Sequence, residues 1–393
     1  MLFSLALIFL CALALSGVMQ KLKLPGLLGM LLTGIILGPY TLNLIAPEIL
    51  NISADLRQAA LIVILVRAGL SLNVSDLKKV GKPAFLLCFI PATIEIFATI
   101  MLAPLFFNIT RWEAALMGVV LAAVSPAIII PKMIKLTESG HGKNKRIPQL
   151  IMAGTSVTGV YVIVLFTALM GADGADGFGI SNIVTMPVAV AFGLLAGVLS
   201  GIFLVWVFNA IRMNDTVKAI VVLCSAFMLV ALEAAMPNYV PMFGLIGAIA
   251  MGGTILKKHD GLAKRVSAKF SKIWIPAEIV LFVLVGATMN MQYATQYGLA
   301  AVALIFGVLA VRLAGVLVCL AKTNLNIKER LFCCIAYVPK ATVQAAIGGI
   351  PLAMGVAAGH IILTVAVLAI LITAPLGALG IDIFYKKCLE ENK

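Results

Sequence analysis

Charged side chains are scarce in this chain: Asp, Glu, Lys and Arg together make up 11% of its 393 residues. A soluble domain carries roughly a quarter of its residues as charges, and a disordered segment holds few apolar ones. With 62% hydrophobic residues and a mean hydropathy of +1.13, the chain fits neither class. Cysteine is also uninformative as a framework. Cys11, Cys88, Cys224, Cys319, Cys333 and Cys334 sit in apolar runs and Cys388 near the carboxyl end, without disulfide or metal-ligand spacing. There is no G-x-G-x-x-G unit and no soluble domain after the last apolar run, so neither a cofactor nor a metal is expected. What remains is long apolar runs, each near the roughly 20 residues that a bilayer-spanning helix requires. The expected fold is all-α and polytopic, one transmembrane domain over residues 1–393 with about thirteen transmembrane helices. The first run lacks a basic start and is expected to stay as a span rather than be removed as a signal peptide.

The net charge of +13 would suit nucleic acid if it were clustered, but it alternates with the loops. With the first span running outside to inside, 24 Lys and Arg residues fall on the inner side and only Arg57 and Arg111 on the outer. Arg67, Arg312 and Lys340 stay within apolar runs. The positive-inside rule then places the amino terminus outside, the carboxyl terminus in the cytoplasm, and the protein in the cell membrane with no nucleic-acid partner.

Two of the runs are interrupted. AAVSPAIIIPKMIKL (Ala122 to Leu136) and AYVPKATVQAAIGGIPLAMG (Ala336 to Gly355) each hold two prolines and a Pro-Lys pair. Proline removes a backbone donor and clashes with the preceding turn, so a lipid-facing helix rarely carries such a break. Breaks at matching positions of two halves are the sequence mark of a carrier's centre. Six spans, a connecting helix and six more make the fifth and twelfth spans such a pair, of opposite orientation, which is an inverted repeat.

Intramembrane charges are costly and raise a functional expectation. Glu95 lies thirteen residues beyond Lys82, Arg312 ten before Lys322, Lys340 ten beyond Arg330 and Thr158 twelve beyond Arg146. At 1.5 Å per helical residue these four share a level roughly 15 to 20 Å from the inner surface. Glu95 and Arg312 are expected to pair, either as an architectural tie or as part of the pathway, with Arg67 as a rival partner. Lys340 follows Pro339 and either faces a substrate cavity or caps freed carbonyls. Thr155, Thr158 and Gly159 fall on one face of the sixth span with Ser156 beside them, expected to look toward Ser125 and Pro126. Hydroxyls there are hard ligands for a small cation, and equally common packing residues of membrane helices. Glu233 and Glu278 are weaker candidates, His141 and His259 are expected as solvated loop histidines, and the loop GADGADGFG with Asp173 and Asp176 lacks the ligands of a calcium loop.

Taken together, LLGMLLTGIILGP (Leu27 to Pro39), LIVILVRAGLSL (Leu61 to Leu72), CFIPATIEI (Cys88 to Ile96), the two broken runs, GTSVTGVYVIVLF (Gly154 to Phe166) and LFVLVGA (Leu281 to Ala287) resemble the bacterial monovalent cation:proton antiporter family, of the sodium/hydrogen exchanger type. The resemblance spans nearly the whole chain. It implies a thirteen-helix inverted-repeat fold, a homodimer, Na+ or K+ and H+ as cargo, and elevator-like movement of a core built on the crossed breaks, with Glu95, Arg312 and Lys340 among its polar residues. One departure stands out. The family typically carries two adjacent acids, or Asn-Asp, where this chain has Thr158-Gly159, and Asn290 stands where an aspartate is expected.

Threonine does not titrate, so the carboxylate that compensates cation dehydration and releases the ion on protonation is missing at that place. The leading expectation is cation:proton antiport with altered or weak coupling. Two alternatives stay open: an anion carrier on the same fold, and a transport-inactive membrane sensor or scaffold.

Overall fold

Proline and glycine punctuate an otherwise helical chain. A computed structural model describes residues 1–71, 81–171, 180–235 and 242–390, and no strand occurs among them. The loop holding Asp173 and Asp176 lies outside the described residues. Among the described residues seventeen helices follow in order: α1 (Leu2–Lys21), α2 (Gly26–Leu37), α3 (Pro47–Asn51), α4 (Ser53–Ser71), α5 (Lys82–Phe106), α6 (Arg111–Ala122), α7 (Pro126–Glu138), α8 (Ile147–Met170), α9 (Ile180–Ala210), α10 (Asp215–Ala235), α11 (Gly244–Lys258), α12 (Asp260–Ala287), α13 (Met291–Leu320), α14 (Ile327–Ala336), α15 (Thr342–Ile347), α16 (Ile350–Ala353) and α17 (Gly359–Cys388). Among the described residues, nine helical stretches are long and apolar enough to cross a membrane, counting the broken α6–α7 as one. The short apolar helices α2 and α15–α16 fall below that length.

The chain divides into two compact units. The first comprises Met1–Ala54, Val74–Phe166 and Phe282–Lys393. Within it α5 packs on α6 and α13, and α17 packs on α13 and α14. The second comprises Asp55–Asn73 and Thr167–Leu281, where α9 and α10 pack on α11. In that second unit Glu233 accepts a hydrogen bond from Gly244 N at 2.8 Å, so its carboxylate caps the start of α11. Arg67 faces Glu278, which also accepts a bond from the Trp274 side chain.

Both broken helices of the first unit begin in the same way. At α6, Thr110 Oγ1 accepts from Glu113 N at 3.2 Å, and Glu113 Oε2 accepts from Thr110 N at 2.8 Å. At α14, Asn326 Oδ1 accepts from Glu329 N at 2.9 Å, and Glu329 Oε2 accepts from Asn326 N at 2.7 Å. Each is a capping box, which satisfies two of the first-turn donors. Each glutamate also holds a second element: Glu113 Oε1 takes Ala358 N at 2.9 Å and Glu329 Oε2 takes Lys145 Nζ at 2.8 Å. The start of each broken helix is thereby fixed before its interior is interrupted.

One expectation about the loops is corrected. His141 is buried rather than solvated, 7% exposed, with its ring edge-on to Tyr385 at 5.0 Å and Nδ1 3.0 Å from Ser139 Oγ. The cause is the carboxyl end of the chain, which folds beneath the loop so that Gly142 N donates to Glu390 O at 3.0 Å and Leu389 is buried. His259 is exposed as expected, and its Nδ1 accepts from Leu262 N at 3.2 Å to start α12.

Candidate functional site

The two interruptions meet in the first unit. A residue before proline is driven out of the helical region, and Ser125, before Pro126, is extended at φ −87°, ψ 104°. Pro126 then opens α7 at its first position, where a missing donor costs nothing. On the other run the chain leaves α14 after Ala336, passes Pro339 and Lys340, and re-enters a helix at Thr342. Ser125 N donates to Pro339 O at 2.9 Å, so one break closes directly on the other. A Cβ on Gly377 of α17 would lie 2.9 Å from Pro339 N, closer than side chains tolerate, so only glycine lets this helix reach the break.

Glu95, Arg312 and Lys340 converge at this crossing and are 0%, 0% and 1% exposed. Arg312 Nη1 donates to Glu95 Oε2, and Lys340 Nζ donates to Glu95 Oε1 at 2.6 Å. The expected Glu95–Arg312 pair is present, and Lys340 joins it. Both cations also serve the carbonyl end of α6. Arg312 Nη1 reaches Ala122 O at 2.7 Å, and Lys340 Nζ reaches Leu121 O. Gln344 Nε2 completes the cap at Val120 O (3.1 Å), Leu121 O (3.3 Å) and Ala123 O (2.8 Å), while its Oε1 accepts from Ala341 N at 2.8 Å.

Carbonyls freed by a broken helix need donors, and the negative end of the helix dipole favours cations. Lys340 therefore does cap carbonyls, but those of the opposite broken helix rather than its own. Three buried ions are tolerable only when every charge is contacted. One carboxylate between two cations nevertheless leaves a formal excess of one positive charge.

The sixth-span hydroxyls are placed differently from the sequence expectation. Thr155 Oγ1 donates to Ile151 O at 2.8 Å and Ser156 Oγ to Met152 O at 2.8 Å, both within α8. Thr158 Oγ1 donates to Gly154 O at 2.8 Å and to Cys88 O of α5 at 3.0 Å. Among the described hydrogen bonds none joins these groups to Ser125. A hydroxyl buried in an apolar helix finds its own turn's carbonyl first, which the one-face pattern does not reveal. The face itself does reach the crossing: a Cβ on Gly159 would sit 3.7 Å from Val343 Cγ2 of α15, with ordinary room. Asn290 caps α13, accepting from Gln292 N at 2.9 Å.

Sequence reasoning missed two contributors. Thr373 Oγ1 on α17 accepts from Lys340 N at 3.0 Å and holds the break open. Tyr337 is fully buried beneath the Arg312 guanidinium, 5.8 Å from ring centroid to Cζ. Its hydroxyl abuts Gly154 of α8, where a Cβ would collide with it. The one signal for Tyr337 was its place two residues before Pro339.

Comparison with known proteins gives a consistent result. A family model described as "Sodium/hydrogen exchanger, transmembrane" matches residues 5–387. Sodium/hydrogen exchanger 9B2 of Mus musculus is 31% identical over 100% of this chain and 74% of its own length. Sodium/hydrogen exchanger 9B1 of Macaca fascicularis is 31% identical over 100% and 79%. The solved structure of the sodium proton antiporter MjNhaP1 from Methanocaldococcus jannaschii has the same fold, with a TM-score of 0.83 at 21% identity, covering 98% of this chain and 97% of that one.

Proposed function

The chain belongs to the transmembrane sodium/hydrogen exchanger family, and from that premise we propose that it exchanges Na+ or K+ for protons by elevator-like alternating access, with weakened coupling. The observation that carries this reading is Glu95, a fully buried carboxylate held between Arg312 and Lys340 where the two broken helices cross. An antiport site must favour a proton in one state and a metal ion in another, which requires a group that titrates. Thr158 and Gly159 carry none, and the carboxylate at the crossing is that of Glu95, which both cations contact.

Oxygen ligands for the ion come from the hydroxyls of Ser125, Thr155, Ser156 and Thr158 and from the backbone at Pro126 and Gly159. Lys340 and Arg312 oppose the metal ion, so the ion's affinity is low and coupling is loose. The protein acts as a homodimer in the cell membrane. About thirteen spans, including α2, α4, α11 and the broken α14–α16, place the amino terminus outside and the carboxyl terminus in the cytoplasm.

Proteoliposomes containing a pH-sensitive dye test the proposal. A sodium or potassium gradient is expected to drive slow proton movement in the unmodified protein and at least tenfold faster movement in Thr158→Asp/Gly159→Asp. The position has room for the new side chain, since the added Cβ at Gly159 meets only Val343 at 3.7 Å. Absence of any cation-dependent proton flux in the unmodified protein would overturn it, whether or not the acidic variant is active.

A further inference from the structure

The crossing holds donors that its acceptors do not use. Arg312 spends Nη1 on Glu95 and Ala122 O, and its Nε and Nη2 edge has no hydrogen-bond partner among the described residues although the side chain is 0% exposed. The hydroxyls of Ser125, Tyr337 and Thr342 are likewise buried and unpartnered, at 0%, 0% and 1% exposure. Every one of these groups donates, and they lie on segments that the structure brings together. Ser125 bonds Pro339, Tyr337 stacks under Arg312, and Thr342 opens α15 directly after the break.

Unmatched buried donors and an uncompensated buried charge each oppose folding. A single monovalent anion relieves both at once. The Nε–Nη2 edge of a guanidinium is a fork suited to anions, and hydroxyls add to it. The amino end of α7, thirteen residues long with Ser125 as its cap position, adds a favourable dipole, and no side-chain bond occupies that cap.

We propose that the crossing of the two broken helices binds one small monovalent anion of halide size, held by the free edge of Arg312 and the hydroxyls of Ser125 and Tyr337, in the electrostatic place of the carboxylate missing at Thr158-Gly159. Gly159 of α8 lies against Val343 of α15, next to Thr342, so a carboxylate introduced there competes with the anion for the same excess charge. The inference concerns occupancy and does not depend on ion exchange, so a protein that transports nothing still answers it.

The probe is chloride. The full chain in detergent is unfolded thermally while chloride replaces gluconate at constant sodium and ionic strength. A ligand specific to the folded state raises Tm with its concentration in a saturable manner. The expected result is a saturable rise in the unmodified protein, a half-saturating chloride at least fivefold higher in Ser125→Ala, and no chloride response in Gly159→Asp. Superimposed chloride and gluconate series in the unmodified protein would overturn the proposal, as would a folded Gly159→Asp that responds like the parent. If Gly159→Asp does not fold, Ser125→Ala decides alone, and an unchanged half-saturation overturns it.

Discussion

Lys340 and Glu95 are 245 residues apart in the chain and 2.6 Å apart in space. That contact, with Arg312 on the second carboxylate oxygen, joins α5, α13 and the α14–α15 break around the carbonyl end of α6. Breaking a buried pair strands the remaining charges, at a cost of about 3–5 kcal/mol. Glu95→Gln, which strands both cations, is expected to lower Tm steeply, and Arg312→Met/Glu95→Gln, which strands only Lys340, to recover part of the loss. A double-mutant cycle by thermal unfolding in detergent measures the coupling, and strictly additive losses would contradict the ion contact.

Gln344 is neutral yet donates to two carbonyls of α6 and to that of Ala123 just beyond it. Gln344→Met preserves most of its volume and removes the donor, leaving buried acceptors unmet at about 1–3 kcal/mol. Its effect on Tm is expected to be clear but smaller than that of Glu95→Gln. An effect equal to the glutamate's would mean that the cap, not the ion contacts, holds the crossing together.

Gly377 admits the Pro339 ring against α17. Gly377→Val is expected to displace the break and destabilise by about 1–3 kcal/mol, as overpacking does. The same change at Gly298, whose added Cβ meets nothing within 4 Å, serves as the control. Equal Tm losses at the two sites would place the strain elsewhere.

Lys145 contacts Glu329 at 2.8 Å, and that hydrogen bond raises the lysine pKa above its ordinary 10.5. A raised lysine pKa gives stability that is complete below the unfolded value and lost as pH climbs through the folded one. The Tm difference between the parent and Lys145→Met is therefore expected to hold from about pH 7 to about pH 9 and to shrink as pH rises beyond 10.5. A difference that grew at alkaline pH would reverse the assigned sign.

Glu113 serves two helices, capping α6 and receiving Ala358 N at the head of α17. Glu113→Ala is expected to cost about 1–2 kcal/mol, the upper range for a helix cap. Glu113→Gln keeps an acceptor and should recover most of the loss in the same unfolding measurement.

The apolar runs, the two interruptions and the common depth of Glu95, Arg312 and Lys340 were all legible in the residues, because hydropathy, proline chemistry and helical rise act locally along the chain. The capping boxes at Thr110 and Asn326 are local too, and repeat at the head of both broken helices. Depth along the membrane normal, however, says nothing of rotation about a helix axis or of which helices are neighbours. Only tertiary packing decided that Lys340 joins Glu95, that Gln344 and Arg312 cap α6, that Thr155 and Ser156 turn back on their own helix, and that His141 is covered by the chain's end. The donors left over on Arg312, Ser125, Tyr337 and Thr342 emerge from that packing as well, since whether a polar group is satisfied depends on every element brought against it.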